Sequence, residues 1–255
     1  MEAAGPADAP AVFFLHAGIV DSRMWDAEFA ALEKTHRVVR IDLRGYGRSS
    51  VPNGPFSYHG DVVAALDSLG IERATLVGCS FGGSIALDVA AAHPERVAGM
   101  VLVAPSIGTG GESPEIRAFG EREEAALERG DLDGATEENL RFWVDGPHRK
   151  PDQVDPAVRA LVGKMQRAAF DVPMPEGAKA EKVDPPARDR LREIKVRTLI
   201  VIGSLDVAHV QGVAKRLAAE IPGARLETFE GTAHLPTLEK PDAWLRTLQG
   251  FLSAK

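Results

Sequence analysis

Cysteine is nearly absent, since Cys79 is the only one in 255 residues. No intrachain disulfide can form, and neither can a zinc site built on several thiolates. A reducing cytoplasm suits such a chain and is its expected location. Positive charge is also short: 30 Lys and Arg stand against 37 Asp and Glu, a formal net charge of −7. Nucleic acid wants a basic face and an anionic membrane surface a basic patch, so neither partner is expected. No apolar run approaches the ~20 residues that span a bilayer. Residues Met1 to Pro10 are small and acidic, without the basic start and apolar stretch of a secretory signal. They read as a loose tail. No internal repeat or low-complexity tract is present.

What is present is the pattern of a layered enzyme. Apolar residues make up 44% of the chain and charged residues 26%, ordinary for a soluble globular protein. Short apolar runs at Ala11 to Leu15, Arg37 to Ile41, Thr75 to Cys79, Val97 to Val103, Val196 to Ile202 and Arg225 to Phe229 read as strands. Between them, Trp25, Phe29 and Leu32 recur at helical spacing, as do Val62, Leu66 and Leu69, and Trp244, Leu248 and Phe251 behind Pro241. Strand–helix alternation predicts an α/β fold, a mostly parallel sheet with helices on both faces. The alternation stops between Gly108 and Ile194. There Val158, Leu161, Val162, Met165 and Ala169 form one apolar stripe, Glu112 to Glu138 is acidic, and Asp171 to Pro186 reads as a loop. The expected organisation is a core of residues 1–108 and 191–255 with a helical cap at 109–190.

The segment richest in chemistry is Thr75-Leu76-Val77-Gly78-Cys79-Ser80-Phe81-Gly82-Gly83. A strand enters a helix through G-x-S-x-G. So sharp a turn needs small neighbours, which Gly78 and Gly82 supply, and it lifts the Ser80 hydroxyl to a helix N-terminus that favours developing negative charge. Serine is also a common helix N-cap, the structural alternative. Cys79, next to it, should point into the core as a small apolar residue.

At this point the chain resembles the α/β-hydrolase family, in its serine-nucleophile, esterase-like branch. The likeness runs from Val12 to Leu252 and rests on three further motifs in the family's order. Phe14-Leu15-His16-Ala17-Gly18, with Trp25 nine residues after His16, is similar to the family's H-G-x strand end. Asp42-Leu43-Arg44-Gly45-Tyr46-Gly47-Arg48-Ser49 is similar to its D-x-R-G-x-G-x-S loop, and Gly231-Thr232-Ala233-His234 to its histidine loop. Ala17 departs from the usual glycine of H-G. No sequence for the antiparallel hairpin that often opens the fold is present, so the expected sheet starts at Val12 and has about six strands.

Ser80 needs a base to take its proton. Seven histidines are available. His36, His59, His93 and His148 fall on expected surface turns, the resemblance gives His16 a structural role in its loop, and His209 could lie at the rim. His234 follows the last strand, where such folds place sites. Asp206 follows the preceding strand through Gly203-Ser204-Leu205, and the order Ser, Asp, His fits the fold. Its structural alternative is a cap for the next helix. Asp184 and Asp189 lack a strand leading into them, and Glu112 lies well past the strand ending at Val103. The oxyanion of a tetrahedral intermediate needs fixed donors. The resemblance implies the N–H of Phe81 and of Gly18, with Ile19 as alternative, and leaves Arg44 to brace its loop. Ile19, Val207, Leu235 and Phe81 are expected to line an apolar pocket, joined by Phe142 and Trp143 from the cap.

The resemblance thus implies a hydrolase acting through an acyl-enzyme on a small ester or lactone, with no metal or organic cofactor and a small-molecule substrate. On the same fold it also allows carbon–carbon bond hydrolysis, N-terminal aminopeptidase action and peracid formation. A slow-turnover ligand sensor that keeps the three residues is the alternative from another class. A haloalkane dehalogenase is disfavoured, because Ser80 stands where an aspartate is needed.

Overall fold

The computed structural model describes residues 1–108 and 113–254. Thr109, the first residue of the expected cap, and Glu112 lie outside the described residues. In chain order the strands are β1 (Glu2–Ala4), β2 (Ala11–Leu15), β3 (Arg37–Ile41), β4 (Pro55–Phe56), β5 (Ala74–Cys79), β6 (Val97–Val103), β7 (Lys179–Ala180), β8 (Thr198–Gly203) and β9 (Arg225–Phe229). The helices are α1 (Asp26–Leu32), α2 (Tyr58–Ser68), α3 (Phe81–Ala92), α4 (Pro114–Glu128), α5 (Leu132–Asn139), α6 (Pro156–Ala169), α7 (Ala208–Glu220), α8 (Pro236–Glu239) and α9 (Pro241–Ser253).

The main sheet has the order β1-β3-β2-β5-β6-β8-β9. From β3 to β9 every neighbouring pair is parallel. At its centre Leu76, Val77, Met100, Val101 and Leu102 are fully buried. These unbroken apolar runs are what strands covered on both faces require. At the edge, β9 is exposed over Arg225 to Thr228 and buries only Phe229. Its charged residues blunt an open strand edge.

Two expectations need correction. Residues Met1 to Pro10 are not a loose tail. β1 pairs antiparallel with β3, Glu2 opposite Arg40 and Ala4 opposite Val38. The sheet therefore starts at Glu2 and not at Val12, and has seven strands. Three residues carry no readable periodicity, and the strand is anchored by partners far along the chain: Glu2 accepts from Arg40 Nε at 2.7 Å and pairs with Arg48. The apolar stripe of α6 is also rotated from its expected centre. Val158, Val162 and Met165 are buried, but Leu161 is 37% exposed and Gln166 is buried in its stead. At about 100° per residue, Leu161 and Gln166 flank the face centred between Val162 and Met165 equally, about 70° to either side, so what the helix packs on decides which of them is buried. Elsewhere the changes are small. β8 starts two residues later than Val196, and the 171–186 loop contributes β7, which pairs with β4.

Glu28 of α1 is 2% exposed. Burial pushes its carboxyl up to about 7, opposed by its own backbone amide and the nearby Trp244 indole. That indole is outside hydrogen-bond geometry: Glu28 Oε2 and Trp244 Nε1 are both buried without a partner among the described residues. In the unfolded chain the carboxyl ionises near 4.5, in the folded chain near 7. Between these values the folded state holds the extra proton, so stability falls as pH rises through the window. Above it the cost is fully present, on the order of 3 kcal/mol. Glu28→Gln should therefore stabilise the protein against urea at pH 8 and change it little at pH 4. A difference between variant and wild type that is the same at both pH values would refute this.

Candidate active site

Ser80 sits where β5 turns into α3, with φ 50° and ψ −109°. Such geometry is strained for any residue with a Cβ and persists only where the surroundings impose it. The turn is tight enough to demand its glycines. A Cβ on Gly78 would lie 2.4 Å from Gly82 O, and one on Gly82 would lie 2.3 Å from Leu15 O. The Ser80 side chain makes no capping hydrogen bond to α3, so the N-cap alternative does not hold. Cys79 is fully buried and its thiol is pushed well up by burial, opposite to what a thiolate nucleophile needs.

Asp206 follows β8 and His234 follows β9, so both reach the carboxyl edge of the sheet where Ser80 stands. They meet there: His234 Nδ1 lies 2.9 Å from Asp206 Oδ2, with Asp206 1% and His234 2% exposed. A carboxylate accepts, so Nδ1 donates and Nε2 is left as the acceptor. The other carboxylate oxygen accepts from Val207 N at 2.8 Å, and Gln211 Nε2 donates to the Asp206 carbonyl. Asp206 is held by its own loop and is not the N-cap of α7. The Trp143 ring packs on the imidazole, centroids 4.5 Å apart, and His234 N donates to Trp143 O. Ser80 and His234 line one cavity of ≈ 490 Å³. Their side chains are not hydrogen-bonded to each other, a looseness common before substrate binds.

The loops facing Ser80 are braced by side chains. His16 is fully buried, with Nδ1 donating to Ala17 O at 2.7 Å and Nε2 accepting from Leu43 N at 2.9 Å. Burial lowers its pKa, in keeping with a neutral ring that donates on one side and accepts on the other. Ala17 is fully buried in the core, which accommodates the methyl that departs from H-G. Arg44 makes two hydrogen bonds to Asp61, at 2.6 and 2.7 Å, and so braces its loop. Gly18 faces Phe81: a Cβ on Gly18 would stand 3.6 Å from Phe81 Cβ. The N–H groups of Gly18, Ile19 and Phe81 have no acceptor among the described residues.

Of the expected pocket residues, Ile19 and Trp143 line the cavity together with Gly18 and Phe81. Phe142, Val207 and Leu235 do not. Val207 and Leu235 are buried in the core behind the site. Phe142 and Trp143 are consecutive in the π-helical turn Leu140–Asp145, and their rings meet edge to face at 4.6 Å; Phe142 lies behind, stacked on Phe119 at 4.5 Å, while Trp143 reaches the cavity. His209 lies on the cavity wall, as expected of a rim residue. A second cavity of ≈ 230 Å³ adjoins at Phe81, Ile107 and Gly108 but includes neither Ser80 nor His234.

Tyr46, Glu123, Asn139 and Gln166 line the cavity, so its wall is mixed and not largely apolar. Arg149 donates to the carbonyls of Val144 and Asp145 and pairs with Glu239, whose other oxygen accepts from Ala233 N at 2.8 Å. This buried pair ties the turn bearing Trp143 to the loop bearing His234. Its partners are 90 residues apart, and no local spacing announces them. Among the described residues, no group of His, Cys, Asp or Glu could hold a metal ion, and no helix is long and apolar enough to cross a membrane.

Known proteins share this architecture along the whole chain. The chain is 27% identical to carboxylesterase YbfK of Bacillus subtilis, over 98% of this chain and 82% of that protein. It is 28% identical to 3-oxoadipate enol-lactonase 1 of Acinetobacter baylyi, over 98% and 91%. The crystal structure of the enol-lactonase from Burkholderia xenovorans superposes with a TM-score of 0.79 at 26% identity, covering 99% of this chain and 95% of that one. Residues 12–247 match the model of the alpha/beta hydrolase family, and the chain belongs to that family.

Proposed function

We propose that this enzyme hydrolyses a small carboxylic ester or lactone through an acyl-enzyme on Ser80. The observation that carries the reading is the buried 2.9 Å bond from Asp206 to His234 beside a strained serine. The carboxylesterase and enol-lactonase relatives support the substrate class. His234 Nε2 takes the Ser80 proton as Oγ attacks the carbonyl carbon, and Asp206 stabilises the imidazolium. The N–H groups of Phe81 and Gly18 receive the oxyanion. Collapse breaks the bond to the alcohol oxygen, which leaves with the proton from His234; in a lactone the alcohol stays tethered to the acyl group. Water then gives a proton to His234 and attacks the acyl carbon, and the acid departs as Ser80 recovers its proton.

Residues 109–190 act in this reading as a cap over a core of residues 1–108 and 191–255. Trp143 brings the cap to the imidazole, and Ile19 faces the cavity from the core. A panel of short p-nitrophenyl esters, γ- and δ-lactones and amides tests the assignment. Multiple turnover of esters or lactones is expected, with no measurable amide cleavage. Turnover of amides alone, or a single burst without further turnover, overturns it. Trp143→Ala should shift the acyl-length profile of kcat/KM toward longer chains. A profile that matches wild type would remove Trp143 from the pocket.

A further inference from the structure

Three helices between β6 and β8 each send one polar side chain to the same cavity: Glu123 from α4, Asn139 from the end of α5 and Gln166 from α6. Asn139 is 2% exposed and is fixed, its Nδ2 donating to Ala135 O at 2.9 Å and to Glu123 Oε1 at 2.5 Å. Gln166 is 5% exposed, and its Oε1 has no partner among the described residues. Glu123 makes no ion pair among the described residues; its neighbour Arg122 goes to Glu138 instead. Among the described residues, no Lys or Arg lines the cavity.

Such a group is costly where apolar walls surround it. Gln166 Oε1 is already cut off from water without a donor, and Glu123 loses hydration when substrate fills the cavity, so both are left short of a partner. An N–H group on the substrate restores the lost bond, and to a carboxylate that bond is among the stronger kinds. A second carboxylate would be repelled instead, in a medium of low dielectric. The apolar part of the same wall, Ile116 and Trp143, would carry the hydrocarbon that links such a group to the cleaved bond.

We infer that Glu123, Asn139 and Gln166 form a recognition subsite for an N–H donor, an amide or an ammonium, carried by the substrate beside the bond that is cleaved. The inference rests on the ester or lactone hydrolase reading and adds to it the chemical class of the substrate's unreacting part. It also separates this cavity from one built for an anionic ester.

The test compares kcat/KM on esters of matched length that end in an acetamide, an ammonium, a methyl or a carboxylate group. One series carries the group on the acyl side of a p-nitrophenyl ester, the other on the alcohol side of a butanoate. In at least one series the acetamide or ammonium ester should exceed the methyl ester by about tenfold, with the carboxylate ester slowest. A preference for the acetamide alone names a neutral donor, and a preference that includes the ammonium names a charged one. Glu123→Gln should reduce that preference by about tenfold and relieve the penalty on the carboxylate. Gln166→Leu, which keeps the charge, should reduce it more modestly and serves if the first variant does not fold. Methyl esters equal to or better than both donors in both series overturn the subsite, as does a preference that survives both variants unchanged. If esters are turned over through Ser80 without any preference, the subsite alone has failed. If no ester is turned over and Ser80 takes no acyl group, the hydrolase reading has failed, and the subsite with it.

Discussion

Ser80→Ala should abolish covalent labelling by a fluorophosphonate and lower kcat on any ester substrate by about five to six decades. The size follows from what is lost. Without Oγ no acyl-enzyme forms, and the residual rate comes only from binding and from the oxyanion donors acting on water. The variant should fold as the wild type does. Alanine keeps the Cβ that makes φ 50° costly, and the tight contacts of Gly78 and Gly82 hold the elbow whichever of the two residues stands there. Mass spectrometry of the labelled wild-type protein should place the phosphonate on Ser80, and Cys79→Ala should leave labelling intact. Cys79 is fully buried and its thiol is pushed up, so it offers no thiolate to compete. Labelling that persists in Ser80→Ala, or moves to Cys79, removes Ser80 from the role of nucleophile.

The parts of the site that could be read in advance are those whose chemistry is local in the chain. The elbow is one: five residues specify a turn, and the strand before it and the helix after it are visible as an apolar run and an amphipathic segment. Asp206 and His234 are legible because each follows a strand by a few residues, and parallel strands deliver their carboxyl ends to one edge. What could not be read depends on which way a side chain faces or on partners far apart. Val207 and Leu235 neighbour the site in sequence, yet both turn into the core. Phe142 and Trp143 are adjacent, and only the fold decides which of them meets His234. Gln166 took the place expected of Leu161 because the buried face of α6 is set by what it packs on, not by its most apolar stripe. β1 was missed for a related reason, since its stability lies in Arg40 and Arg48 rather than in its own three residues.

His234→Ala should cost nearly as much as the loss of the nucleophile, about five decades in kcat, and Asp206→Asn about four. The second variant is the more informative because it changes almost no volume. Asp206 Oδ2 can only accept, which obliges His234 Nδ1 to donate and leaves Nε2 free to take the Ser80 proton. The amide of asparagine can instead present its own N–H to Nδ1. The imidazole then carries its proton on Nε2, where the proposed reaction needs a base. The ring stays packed against Trp143 and bonded through its backbone, so the site keeps its shape while losing its chemistry. The three residues should also behave as one unit, so that Ser80→Ala with His234→Ala is no slower than Ser80→Ala alone within a few-fold. Steady-state kinetics on the same ester for the single and double variants measures this directly. His209 shares the cavity wall but has no hydrogen bond to Asp206. If His209→Ala proves crippling while His234→Ala is mild, or if the double variant multiplies the two single losses, His234 is not the base that serves Ser80.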